Sequence, residues 1–143
     1  MENKHGVKIT EVEKKEVIRL TNAARRKAAY KAFEYTLEAL KEENRVNTAE
    51  LQENHLEGKI ERSSWAVKKM ILDQEKRCIE QIEALYLSRN DDSAFKNYLE
   101  YEHEHHYKMW KESDDNMRYA CLVVYEICLE AFNKAHETTK ERH

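Results

Sequence analysis

The chain of 143 residues contains no proline and only two glycines, Gly6 and Gly58, and its net charge is -3. Because proline ends helices and glycine supplies tight turns, a chain that avoids both is predicted to be all-α. The few glycines exclude a phosphate-binding loop, a dinucleotide-binding loop and the glycine-flanked nucleophile of a hydrolase. The balanced charge argues against nucleic-acid binding, which needs a strongly basic surface.

The sequence pattern also argues against a membrane span and a signal peptide. The longest uncharged stretch, residues 119–125, is far shorter than the roughly 20 apolar residues of a span. Residues 1–10 lack the apolar segment of a signal peptide. Three cysteines are an odd number, and Cys121 and Cys128 lie too far apart along one helix for a disulfide. We therefore expect buried thiols in a reducing cytoplasm.

The apolar spacing predicts an elongated bundle of four helices in a single domain over residues 1–143, with 1–7 and 137–143 frayed. The first helix is expected over residues 8–43 and is followed by a loop over 44–47. The second helix is expected over residues 48–88, with Gly58 inside it. The turn-forming residues 88–93 precede the third helix, residues 93–111. Residues 113–115 start the fourth helix, which is expected to end near His136.

Apolar residues that recur every three or four positions define the predicted core of the bundle. Most aromatic residues follow the same spacing and are expected to pack in the core or at its edge. The residues singled out as core are Ile60, Val67, Ile71, Ile82, Leu99 and Val124.

The densest group of chemically active side chains lies in residues 100–106, which contain three glutamates and three histidines. On a helix, Glu102 shares one face with His105 and His106, three and four residues later. Imidazole and carboxylate suit a mononuclear zinc or nickel site. A di-iron site would need a second Glu-x-x-His pair, and the other one in the sequence, from Glu2 to His5, falls in the expected frayed terminus. The alternative is a polar face with one buried acid–imidazole hydrogen bond.

The same segment predicts a dependence of stability or assembly on pH. If folding brings His105 or His106 toward Glu102, we expect the histidine pKa to rise above its ordinary value. If the imidazole is buried without Glu102 as a partner, we expect burial to lower the pKa instead. The two cases predict opposite trends of stability with pH.

A second candidate residue is His55, which is followed by Leu56, Glu57 and Gly58. The pattern resembles histidine phosphotransfer domains, four-helix bundles in which an exposed histidine is followed by lysine and, four residues after it, by glycine. Here the glycine comes three residues after the histidine, and Glu57 stands before it. Because a negative neighbour disfavours a phosphoryl group, this interpretation ranks last.

About half of the chain, from residue 22 to residue 99, resembles the helical middle domain of guanylate-binding proteins and atlastins. The likeness is carried by Asn22-Ala23-Ala24, Lys27-Ala28, Tyr35, Leu51, His55 and the stretch from Ile79 to Tyr86 that precedes a polar loop at 90–93. It implies an isolated helical domain, or a stand-alone relative, that docks against a GTPase head or a second copy. The family's glycine-rich phosphate loop has no counterpart here, so neither GTP hydrolysis nor a catalytic residue carries over.

Taken together, these patterns predict a non-enzymatic helical interaction module that binds a protein partner or associates with itself. No cofactor is expected. The alternative is a metal- or small-ligand-binding bundle centred on Glu102, His105 and His106. A phosphotransfer protein that uses His55 is the third interpretation.

Overall fold

The computed structural model describes residues 10–139, which form four α-helices and no strand. The all-α prediction is therefore confirmed. The expected frayed segment 1–7 lies outside the described residues, as do residues 140–143, whereas Glu137 and Thr138 belong to the last turn of the fourth helix. The helices are α1 (Glu11–Leu56), α2 (Arg62–Leu87), α3 (Asp92–Ser113) and α4 (Asn116–Thr138).

The sequence predicts the starts of α3 and α4 closely, because an aspartate caps each of them. The Asp91 carboxylate accepts a hydrogen bond from the Ser93 backbone N–H at 2.9 Å. The Asp115 carboxylate accepts one from the Met117 N–H at 2.8 Å. These bonds satisfy backbone donors that the first helical turn leaves without partners, so both boundaries are fixed locally.

The predicted loop over residues 44–47 is wrong, because α1 continues through it. Asn44 is buried, and its side-chain amide donates to the Leu72 carbonyl at 3.0 Å and to the Glu75 carboxylate at 2.9 Å. Asparagine breaks helices when its side chain bonds to nearby backbone. Here the side chain bonds to α2 instead, so the helix is not interrupted.

Gly58 ends α1, and the prediction of one helix over residues 48–88 with Gly58 inside it is wrong. Its φ angle of 70° lies in the left-handed region that glycine adopts readily. The Lys59 N–H donates to the Asn54 carbonyl at 2.9 Å, and the Gly58 N–H donates to the His55 carbonyl at 3.2 Å. These two bonds form a Schellman motif, which closes the helix end and turns the chain toward α2.

The helices alternate in direction, and α4 packs against each of the other three. Tyr30 near the start of α1 meets His136 at the end of α4. The centre of the bundle is an aromatic cluster around Phe33, whose ring centroid lies 4.8 Å from Tyr86, 6.0 Å from Phe95 and 5.3 Å from Phe132. These edge-on and tilted contacts join all four helices.

The predicted core is right where three or four helices meet and wrong near the start of α2. Val67 is 55% exposed, and Ile60 and Ile71 are only half-buried. This part of α2 packs against α1 near the α1–α2 turn, as the contact of Trp65 with His55 shows, so one face remains open to solvent. The predicted core residues that are buried are Ile82, Leu99 and Val124.

α1 is about 69 Å long, roughly twice the length of α4. Near the end of α4, the Arg25 side chain donates to the Thr138 carbonyl at 3.0 Å. Residues 11–24 precede this contact and are named here the N-terminal overhang. Its large apolar side chains are all about half exposed or more: Val12, Val17, Ile18 and Leu20. No helix within residues 10–139 combines the length and apolarity needed to cross a bilayer.

Candidate functional site

Glu102 and His106 lie together at the interface of α3 and α4. The His106 Nε2 atom is 3.5 Å from a Glu102 carboxylate oxygen, an ion-pair distance that is long for a hydrogen bond. The imidazole is 12% exposed and stacks on the Tyr125 ring of α4, with centroids 5.1 Å apart. The spacing of four residues therefore brings the acid and the imidazole together, as predicted, against an aromatic wall.

His105 does not join this pair. It is exposed, and its ring stacks on Tyr101 of the same helix, with centroids 6.3 Å apart. Within residues 10–139, no three side chains of the histidine, cysteine, aspartate or glutamate type are arranged to hold a metal ion. Glu102 and His106 thus present two donors, fewer than the three or four protein ligands of a zinc site.

Burial lowers the pKa of His106 below its ordinary value of 6.5. The charges of His105 and Arg118 lower it as well, whereas Glu102 raises it. The expectation that closeness to Glu102 raises the pKa is therefore wrong, because removing the imidazole from water costs its charged form more than the carboxylate restores. The buried Nδ1 atom has no hydrogen-bond partner within the described chain, which also disfavours protonation.

Two tyrosines lie next to the Glu102–His106 pair, and we call these four side chains the polar layer between α3 and α4. The Tyr98 and Tyr125 hydroxyls lie 3.0 Å apart and form a hydrogen bond between α3 and α4. Burial raises the pKa of Tyr98 to about 12, and it raises the pKa of Tyr125 further. Both phenols are therefore protonated at neutral pH, and their bond serves packing instead of proton transfer.

Sequence reasoning missed a pair of thiols beside this layer. Cys78 of α2 donates a hydrogen bond to the Cys121 sulfur of α4, with the two Sγ atoms 3.1 Å apart. This bond lowers the pKa of Cys121 to about 7 and raises the pKa of Cys78. Cys128, two turns further along the same face of α4, is fully buried, and burial raises its pKa to about 12. The paired cysteines are 43 positions apart in the sequence, so no local pattern would have revealed them.

His55 lies at the turn between α1 and α2, where its ring stacks on Trp65 with centroids 4.1 Å apart and planes 13° apart. The imidazole is half-buried by this contact. Glu57 pairs with Lys59 at 2.6 Å two residues further on. Stacking leaves one ring face covered, so the phosphotransfer interpretation remains a prediction without a geometric argument in its favour.

A groove of about 790 Å³ runs between α1 and α2. Trp65, Leu51 and Leu72 contribute apolar surface to it. Lysines at its edge are paired: Lys41 contacts Glu83 at 2.9 Å, and Lys69 contacts Asp73 at 3.1 Å. Because these cations are already neutralised, the groove suits an apolar group better than a free anion.

Comparison of the chain with models of known protein families, with curated proteins and with solved structures finds no match in any of the three. The resemblance to the middle domain of guanylate-binding proteins and atlastins stays a prediction. Functional assignment therefore depends on the geometry, charge and exposure of this chain's own residues.

Proposed function

We propose that this chain is a non-enzymatic helical interaction module that forms an antiparallel dimer through α1. The observation that carries this proposal is the N-terminal overhang, about 21 Å of helix with large aliphatic side chains in water. Isolated helices of this length are marginal in water, and exposed apolar patches commonly mark interaction sites. A second helix lying along the overhang removes both problems.

The distribution of charge along α1 favours a second copy as the partner. Residues 17–33 contain five basic residues and no acidic one. Residues 42–56, the last part of α1, contain four acidic residues and one basic one. When two copies of this helix lie antiparallel, the basic part of each faces the acidic part of the other. Such a pair has the two-fold symmetry that most homodimers adopt.

The α1–α2 groove borders the face of α1 along which the partner's α1 lies. On α1 it is lined by Glu42, Arg45 and Ala49, which lie in the acidic part of the helix. In an antiparallel pair, the sequence positions of any two residues that face each other add up to the same value. One facing pair therefore fixes the whole register. A register that sets Lys31 against Glu42 brings opposite charges together, small residues together and exposed aliphatic residues together: Lys31 with Glu42, Ala24 with Ala49, and Val17 with Leu56.

Two features of the described residues support a non-enzymatic role. The pKa of His106 is lowered and the pKa values of Tyr98 and Tyr125 are raised, yet these three residues lie packed between α3 and α4. The α1–α2 groove is lined by other residues, whose charges largely pair with one another. The buried titratable groups between α3 and α4 are thus separated from the groove, whereas catalytic groups normally share a cleft with substrate.

Light scattering during size-exclusion chromatography, over a series of protein concentrations, tests the proposal. We expect a dimer for the wild type and a monomer for the double variant Val17→Glu, Leu20→Glu, since buried carboxylates oppose association. Tyr101→Glu is the matched control, because Tyr101 is an equally exposed apolar residue on α3. It should remain a dimer, and circular dichroism should show unchanged helix content in both variants. A monomeric wild type, or a dimeric double variant, would contradict the proposal.

A further inference from the structure

We propose that Cys78 and Cys121 form a redox modification site, at which hydrogen peroxide converts two buried thiols into a disulfide that links α2 to α4. The inference is independent of the proposed dimer, because both thiols lie inside one copy of the bundle.

The geometry of the pair carries the inference. The two sulfur atoms are 3.1 Å apart and face each other from neighbouring helices that pack together. A disulfide bond is about 2.0 Å long, so the sulfurs must approach by about 1 Å. A shift of about 1 Å is small compared with the spacing of packed helices, which is about 8–10 Å.

The surroundings make Cys121 the attacking sulfur. The hydrogen bond from Cys78 stabilises its thiolate, and Gln74 and Arg118 act in the same direction, whereas burial and Glu75 oppose them. The net effect lowers the pKa of Cys121, which favours its thiolate over that of Cys78. Cys78 keeps its proton and lies in place as the resolving thiol.

The oxidation proceeds in two steps that balance. The Cys121 thiolate attacks one peroxide oxygen, the O–O bond breaks, and the hydroxide that leaves takes a proton to become water. Cys121 is then a sulfenic acid. The Cys78 sulfur gives up its proton and attacks the Cys121 sulfur, displacing hydroxide, which that proton converts to the second water. Two thiols and one peroxide thus yield one disulfide and two waters, with the sulfurs oxidised and the peroxide reduced.

Burial sets the selectivity of the reaction. Cys78 and Cys121 are 5% and 2% exposed, so a small oxidant is required and the α2–α4 contact must open briefly to admit it. Cys128 is an internal control on the same helix. It is fully buried, and the pKa of its thiol is raised to about 12, which keeps it protonated and unreactive.

Mass spectrometry of the folded protein after treatment with hydrogen peroxide tests the proposal. Unreacted thiols are alkylated before digestion. Trypsin alone leaves Cys121 and Cys128 in one peptide, so a second protease that cuts after Glu126 is needed to separate them. We expect one disulfide that joins the Cys78 and Cys121 peptides, an alkylated Cys128, and full recovery of thiols with dithiothreitol. The Cys128→Ser variant should behave in the same way.

Two further results decide the matter. In Cys121→Ser, Cys78 should stay reduced at peroxide exposures that convert the wild type, because the attacking thiol is gone. A wild-type protein that stays fully reduced while folded overturns the proposal, and so does a disulfide that contains Cys128. Oxidation of Cys78 in Cys121→Ser at the wild-type rate also overturns it, since Cys121 would then not be the attacking sulfur.

Discussion

At His106, burial and a neighbouring carboxylate act on one imidazole in opposite directions. Glu102 lies 3.5 Å away and favours the charged ring, whereas loss of water favours the neutral ring. Burial prevails, so the folded chain holds this histidine neutral at a pH where the unfolded chain protonates it. The local charge pattern of residues 100–106 could not show this, because the Tyr125 ring that covers the imidazole comes from another helix.

This neutral histidine predicts a loss of stability in acid. The pKa of His106 is lower in the folded chain than its value near 6.5 in the unfolded chain. The free energy of unfolding should therefore be highest above pH 6.5 and should decrease as the pH falls below 6.5. Urea denaturation between pH 5 and 8 measures this. We expect His106→Gln to flatten the profile and Glu102→Gln to steepen the acid loss, because the group that supports the charged ring is removed.

The control for this prediction is Glu100→Gln, an exposed carboxylate on the same helix. It should leave the shape of the profile unchanged. If His106→Gln keeps the wild-type profile, the acid loss has another source.

Core packing at single positions gives a second residue-scale prediction. Ile82 is fully buried and Val67 is 55% exposed, although both follow the same apolar spacing on α2. Ile82→Ala should lower the free energy of unfolding by about 2–5 kcal/mol, whereas Val67→Ala should change it by less than about 0.5 kcal/mol. Urea melts of the two variants at one pH compare them directly. Equal losses would show that Val67 is buried in solution, for example in an assembly.

At the scale of the helices, the sequence predicts the boundaries of α3 and α4 well and those of α1 and α2 poorly. Asp91 and Asp115 are capping residues that act within one turn, so their effect is readable locally. Asn44 resembles a loop residue until its partners on α2 are known, because tertiary hydrogen bonds override local preference. Gly58 is a local signal for a helix end, since glycine is the usual residue there, so the prediction that it lies inside a helix is wrong.

Asn44 and Asn47 form a matched pair that tests the uninterrupted α1. Asn44→Ala removes the donor that the Leu72 carbonyl and the Glu75 carboxylate share, so we expect a loss of about 1–3 kcal/mol in unfolding free energy. Asn47 is exposed in mid-helix, and Asn47→Ala should be neutral or slightly stabilising, because alanine is the better helix former. Chemical denaturation measures both variants. If α1 instead ended at residues 44–47, Asn44→Ala would cost no more than Asn47→Ala.

The candidate sites also differ in whether their residues come from one helix or from two. Glu102 and His106 are four residues apart on one helix, so the sequence predicts that they meet. Cys78 and Cys121 meet only because α2 and α4 pack at a particular register, which no pattern within either helix specifies. Exclusion of His105 from the acid–imidazole pair likewise depends on which face of α3 turns toward α4.

For the whole molecule, the central feature is one long helix whose two halves carry opposite charge. Its basic segment, residues 17–33, begins within the N-terminal overhang, and its acidic half lines the α1–α2 groove. An antiparallel dimer brings these halves together at both ends, and attraction between exposed charges weakens as salt rises. The dimer should therefore dissociate more readily at high ionic strength, in contrast to an assembly held by apolar contacts alone.

Charge exchange between two variants tests this account most directly. One variant carries Lys31→Glu, and the other carries Glu42→Lys; both positions are exposed on α1 and face each other in the proposed register. Alone, each variant places like charges against each other and should sediment as a monomer in analytical ultracentrifugation. Mixed in equal amounts, they restore opposite charges at both ends and should form a heterodimer. Variants that dimerise alone, or a mixture of folded chains that stays monomeric, would contradict the antiparallel pairing of α1.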